Sequence, residues 1–192
     1  DNEPDTDWTL RANREWIESA RQDIEIPHTI GIQVAGRVSY PVDKEDSHDP
    51  SEPAKCLYRY CLAGEEDLEE ALESAVGMLE SKRDSIGRNP DELFARISSE
   101  LARMRGALIA AVGCDAGKSV PESDTEVSEA IDFVRYYADG LLRAGVDDGV
   151  ECNPLGVVVV APPWNFPLAI ACGGVVAALA AGNAVILKPP PE

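Results

Sequence analysis

Between Cys152 and Leu187 the chain carries no Asp, Glu, Lys or Arg. Elsewhere charge is plentiful, with 35 acidic against 17 basic residues and a formal net charge of −18. An acidic chain leaves so long a stretch uncharged where the stretch is buried. Pro162, Pro163, Asn165 and Pro167 interrupt it. The apolar helix that remains is too short to cross about 30 Å of hydrocarbon. The missing charge therefore points to a core, and no transmembrane segment is expected.

Basic residues are scarce, and −18 opposes both nucleic acid and an anionic membrane surface as partners. The acidity reads as a solvated surface. The five cysteines, Cys56, Cys61, Cys114, Cys152 and Cys172, are odd in number and contain no C-x-x-C pair. That excludes the common zinc and redox spacings and suggests free thiols in a reducing, cytoplasmic compartment. His28 and His48 stand alone, so no metal site is expected. There is no G-x-G-x-x-G, H-E-x-x-H, Walker loop or Ser-His-Asp set. Asp115-Ala116-Gly117-Lys118 follows a predicted helix and lacks the rest of a phosphate loop. The acidic start is not a signal peptide. It has no Met, and the sequence stops just after Lys188-Pro189-Pro190-Pro191-Glu192, so it reads as a piece of a longer polypeptide.

What is present suffices for one good-sized core, or for one domain with an extension. A short helix is expected over residues 14–21, with Trp16, Ile17 and Ala20 on one side. Alternation at Ile30, Ile32 and Val34, then Val38 and Tyr40, predicts a strand or hairpin. Residues 41–53 read as a loop, and residues 56–62 as a strand. Three helices follow. The first, residues 65–82, repeats Leu68, Ala71, Leu72, Ala75, Val76 and Leu79 as one buried stripe, with acids in its first turn. The second spans residues 90–112, with Asn89 as cap, Pro90 at its first position and Gly113 as stop. The third starts near Pro121 or Ser123, after a Ser119–Glu122 capping box, and ends at Gly145. Val127, Ile131, Val134 and Ala138 form its stripe.

The last segment sets the class as α/β. Residues 156–161 form an apolar strand, and residues 162–167 a turn. A small-residue helix then runs to about Ala181 and stops at Gly182-Asn183. A second strand, residues 184–187, ends on Lys188. Strand, helix and strand make a parallel βαβ unit. Gly173 and Gly174 read as close-packing positions on the helix. Ligands of open parallel sheets bind beyond the carboxyl ends of the strands. Trp164, Asn165 and Lys188 should thus share one sheet edge. Asn165 is either an N-cap for a helix starting at Pro167 or an amide donor for a developing oxyanion. Trp164 is a core or pocket wall. Lys188 either snorkels to solvent or offers a cation to a ribose or phosphate.

The run Leu155-Gly156-Val157 through Pro163-Trp164-Asn165-Phe166-Pro167-Leu168, then Ala180-Ala181-Gly182-Asn183 and Leu187-Lys188-Pro189, resembles the aldehyde dehydrogenase superfamily. Gly117-Lys118, Glu122, Glu126-Val127, Ala130-Ile131-Asp132 and Tyr136-Tyr137-Ala138 look like the preceding helix of its glutamate-semialdehyde (pyrroline-5-carboxylate) branch. The opening, Asn2 to Trp8 with Asn13-Arg14 and Trp16, is similar to the corresponding half of the bifunctional proline utilization A proteins. The resemblance implies the N-terminal part of an aldehyde dehydrogenase fold, with amphipathic helices on a Rossmann-like parallel sheet. Residues 1–62 would be an N-terminal segment following another domain, and residues 63–192 part of the NAD-binding domain.

The implied activity is NAD-dependent oxidation of L-glutamate γ-semialdehyde in proline catabolism. NAD is the implied cofactor, with FAD only in a preceding proline dehydrogenase domain, and the parent would be a homo-oligomer. Asn165 matches the oxyanion donor, Lys188 the lysine on the adenine-side ribose, and Pro163 and Trp164 the cofactor and substrate wall. The family often has a second ribose ligand, a glutamate, three residues after the lysine. Pro191 stands there instead, and Glu192 is one further on. The family's nucleophilic cysteine and general-base glutamate lie downstream of Leu187-Lys188-Pro189. The chain alone is therefore expected to be inactive, with Cys114 and Cys172 as packing residues. The alternatives are another aldehyde dehydrogenase of different substrate and a non-catalytic truncated module.

Overall fold

The computed structural model describes residues 2–82, 90–144 and 153–190. The expected cap at Asn89 and stop at Gly145, together with Cys152, Pro191 and Glu192, lie outside the described residues. Six helices are described: α1 (Arg11–Gln22), α2 (Glu65–Lys82), α3 (Pro90–Arg103), α4 (Arg105–Ala116), α5 (Val120–Ala144) and α6 (Ala169–Ala180). The strands are β1 (Thr29–Ile30), β2 (Ile32–Val34), β3 (Arg37–Ser39), β4 (Lys44–Asp49), β5 (Glu52–Cys61), β6 (Val157–Val160) and β7 (Ala184–Leu187).

Helix α5 is the hub. Its stripe residues Val127, Ile131 and Val134, with Ala130, are wholly buried. One end packs with Ile17 of α1 and Ile109 of α4; the other packs with Phe94 of α3 and with Val176 and Ala180 of α6. Leu101 touches both clusters. Burial of this kind stabilises by roughly 1.5–3 kcal/mol per large apolar side chain. The capping box forms its acidic half: Glu122 Oε2 accepts from Ser119 N–H at 2.9 Å and Ser119 Oγ at 2.6 Å. The Ser119 hydroxyl and amide hold that carboxyl below its ordinary value. Residues 2–6 are tied along α5 by polar contacts. Glu3 N–H donates to Asp132 Oδ1 at 2.7 Å, and Thr6 N–H to Asp124 Oδ2 at 2.7 Å.

Four expectations need correction. The second helix is two, broken at Met104, where φ/ψ is −87°/4°. Backbone bonds bridge the break, from Met104 N–H to Glu100 O and from Leu108 N–H to Met104 O, both at 2.9 Å. Beside the break Gly106 lies against Trp16, leaving only 2.9 Å between a built Cβ and Cζ2 of that ring. Glycine is a usual site of helix bending. The second half also runs past Gly113, which stays helical. It is Gly117, at φ 66°, that provides the left-handed C-cap. The expected loop of residues 41–53 contains strand β4, which pairs antiparallel with β5. β4 is an edge strand with mostly exposed side chains, so apolar alternation never marks it.

Helix α2 has the expected bounds but not the expected buried stripe. Leu68, Leu72 and Val76 are exposed, and Ala75 is buried. The helix packs on β2, β6 and β7, and its more covered residues include Ala71, Ser74, Ala75 and Leu79. β2 and β3 form the expected hairpin, with Ala35 and Gly36 at positive φ in its turn.

The final βαβ unit is as expected, with β6 and β7 paired in parallel. α6 packs closely on both sides. A Cβ on Gly174 would meet Val160 Cγ1 at 2.7 Å, and one on Gly173 the Phe133 ring at 3.0 Å. Among the described residues no helix is long and apolar enough to cross a membrane.

Candidate active-site edge

The two parallel strands fix the geometry. Val160 stands opposite Leu187, and Lys188 N–H donates to Val160 O at 2.9 Å. The chain thus leaves both strands side by side, at Ala161 and at Lys188. The other end is pinned by Asn183, which is buried. Its Oδ1 accepts from Gly156 N–H at 2.9 Å, and its Nδ2 donates to Ala178 O at 3.0 Å. Gly182, at φ 78°, makes the preceding turn. The Gly182-Asn183 stop is therefore also a clamp that sets the strand register.

At the carboxyl end, residues 162–168 form an irregular turn before α6. Pro163, Asn165 and Lys188 are exposed. Trp164 is 58% exposed, and so is not core. Asn165 does not cap the helix. α6 begins at Ala169, two residues later than expected, with Leu168 at the cap position. Among the described residues neither the Asn165 amide nor the Lys188 ammonium has a hydrogen-bond or ion-pair partner. The structure thus gathers Pro163, Trp164, Asn165 and Lys188 at one sheet edge, and leaves an amide donor and a cation open there.

The cap comes from another helix. Glu126 Oε1, on α5, accepts from Leu168 N–H at 2.7 Å and Ala169 N–H at 3.0 Å. Its Oε2 accepts from Lys118 Nζ at 2.6 Å. That ammonium lies 3.9 Å from the Phe166 ring centroid. In the sequence Glu126 and Lys118 mark only a resemblance and carry no role of their own. The available signal is a glutamate next to Val127 and one turn from Ala130, on the buried side of α5.

Among the described cysteines, Cys114 and Cys172 are both partly buried. Cys172, on α6, directs its Sγ to Ala130 O at 3.8 Å, and burial pushes its thiol up to about 11. Such a thiol is neutral at about pH 8, and the thiolate is the reactive form. Iodoacetamide at about pH 8 should therefore label exposed Cys56 well before Cys172, as peptide mass spectrometry would report. Cys114 lines an apolar cavity of about 310 Å³ together with Leu108, Pro167 and Leu168. At its rim Tyr58 Oη donates to Asp115 Oδ1 at 2.5 Å. Burial, and then Asp115, push the phenol up to about 12. With Asp115 taken by Tyr58 and Lys118 by Glu126, residues 115–118 offer no phosphate site. Among the described residues no cluster of His, Cys, Asp and Glu could hold a metal.

Known proteins share this fold. The aldehyde dehydrogenase family model matches residues 40–192. The 1-pyrroline-5-carboxylate dehydrogenase of Geobacillus thermodenitrificans is 35% identical over 98% of this chain and 39% of its own length. That of Staphylococcus aureus strain MW2 is 29% identical with the same coverage. Among solved structures, 1-pyrroline-5-carboxylate dehydrogenase of Thermus thermophilus superposes with a TM-score of 0.91 at 29% identity, over 99% of this chain and 39% of that one. Proline utilization A from Bdellovibrio bacteriovorus gives 0.93 at 29% identity, over 100% and 21%. The chain spans about two fifths of the length of the curated relatives it matches. The fold is the N-terminal part of theirs, and the chain belongs to the aldehyde dehydrogenase family.

Proposed function

We propose that the protein carrying this chain oxidises L-glutamate γ-semialdehyde to glutamate with NAD, in proline catabolism. One observation carries the reading. The Asn165 amide and the Lys188 ammonium, both without partners among the described residues, stand at the same carboxyl edge of β6 and β7. The relatives named 1-pyrroline-5-carboxylate dehydrogenase, and a Thermus structure of that name with bound NAD at a TM-score of 0.90, support the substrate and cofactor.

The donor set fits a dinucleotide. Lys188 offers its ammonium to ribose hydroxyls, and Trp164 with Pro163 forms an apolar wall that excludes water. NAD, when bound, accepts the hydride. Asn165 donates its side-chain N–H to the aldehyde oxygen as that oxygen gains negative charge, and a fixed donor needs no reorganisation at that moment. Thiolate attack and hydrolysis belong to family residues downstream of Lys188. The 192 residues alone therefore give no turnover. On the same reading FAD would be held only by a preceding proline dehydrogenase domain. The parent is a homo-oligomer.

The test is an NADH-formation assay of the full-length protein and of the isolated chain, with glutamate semialdehyde, succinate semialdehyde and acetaldehyde. Only the full-length protein should be active, with the highest kcat/KM on glutamate semialdehyde. A preference for another aldehyde would overturn the substrate. Turnover by the isolated chain would overturn the division of labour.

A further inference from the structure

A buried ion pair far from Asn165 in sequence ties down the turn that carries it. The Glu126 side chain is fully buried, and that of Lys118 is 17% exposed. Through this pair three points around the turn are fixed: the Leu168 N–H and Ala169 N–H on Glu126, and the Phe166 ring on Lys118. Asn165 immediately precedes Phe166. The residue at the cap position of α6, Leu168, makes no side-chain cap bond. Burying two charges carries a desolvation cost that apolar residues of similar volume avoid, so packing alone does not require the pair. Its contacts converge on the segment that presents the amide.

We infer that Lys118 and Glu126 are positioning residues for Asn165, holding residues 166–169 so that the amide meets the aldehyde oxygen. This rests on the reading of Asn165 as oxyanion donor. A reacting group misplaced by about 1 Å can lose about a hundredfold in rate. The pair makes no hydrogen bond or ion pair to Trp164 or Lys188, so its loss should leave cofactor affinity alone.

The experiment uses the full-length protein and four variants: Glu126→Leu, Glu126→Gln, Asn165→Ala and the double variant Glu126→Leu/Asn165→Ala. Glu126→Leu should lower kcat about thirtyfold, with the aldehyde KM and NAD dissociation constant nearly unchanged. Glu126→Gln keeps a carbonyl for the Leu168 and Ala169 amides and should recover most of the loss. In the Asn165→Ala background Glu126→Leu should cost less than about threefold, because it acts through Asn165. Hydrogen exchange at Leu168 and Ala169 should quicken in Glu126→Leu and not in Asn165→Ala.

An equal loss in both backgrounds, or a rise in KM and NAD dissociation constant with kcat intact, overturns the inference. If Glu126→Leu does not fold, Lys118→Met/Glu126→Gln removes both charges together and goes through the same cycle. A loss that vanishes in the Asn165→Ala background then supports the inference, and an equal loss in both backgrounds overturns it. Asn165→Ala with kcat within about tenfold of wild type would sink the oxyanion reading and this one together. A full Asn165→Ala loss with an additive Glu126 effect sinks only this one.

Discussion

Asn165→Ala in the full-length protein should lower kcat about a hundred- to a thousandfold, the usual loss for one oxyanion donor, while NAD affinity changes little. The expectation follows from where the amide stands. It is exposed, has no partner among the described residues, and does not cap α6. Its removal breaks no bond among those residues, so stability should move by no more than about 0.5 kcal/mol, as for other surface substitutions. A donor that acts only on charge developing in the reaction lowers kcat and kcat/KM together and spares ground-state binding. Stopped-flow rates with titrations of NAD would separate these quantities. Equal loss of kcat and of NAD affinity would mean that the residue shapes the turn and is not a donor.

The parts of the molecule governed by local periodicity are legible in the sequence. α2 runs over the residues its repeat marks, and the α5 stripe at Val127, Ile131 and Val134 is the core. Topology alone places Asn165 and Lys188 at one edge, because parallel strands must end on the same side. What is not legible depends on partners distant in sequence. β4 is held by backbone pairing with β5, which leaves no side-chain pattern to read. Gly113 reads as the helix stop in the sequence, but it is Gly117 that has the positive φ. Asn165 resembles an N-cap in sequence because the true cap, Glu126, lies 42 residues from Leu168 on another helix.

The largest stability effect is expected at Asp124. This carboxylate is fully buried on α5. It accepts from Thr6 twice, from N–H at 2.7 Å and from Oγ1 at 3.0 Å. It also accepts from Arg105 Nη1 at 2.6 Å. The same Arg105 nitrogen donates to Ser128 Oγ at 3.0 Å, so the guanidinium fills the space between the two α5 side chains. Arg105 is itself 11% exposed, and its other nitrogen reaches Glu3 Oε1 at 3.1 Å. Asp124→Leu would leave that guanidinium short of its nearest charge and both Thr6 donors without an acceptor. Breaking a buried pair from one side costs about 3–5 kcal/mol, because the remaining charge stays desolvated. Arg105→Met/Asp124→Leu removes both charges and should recover much of the loss, since an apolar pair of similar volume packs without the desolvation cost. Urea unfolding followed by circular dichroism would give both values. Residues 2–6 should also become protease-sensitive in the single variant, because Thr6 is one of their main ties to α5. A loss below about 1 kcal/mol in Asp124→Leu is what an exposed pair gives, and would show that this network is solvated in the working protein.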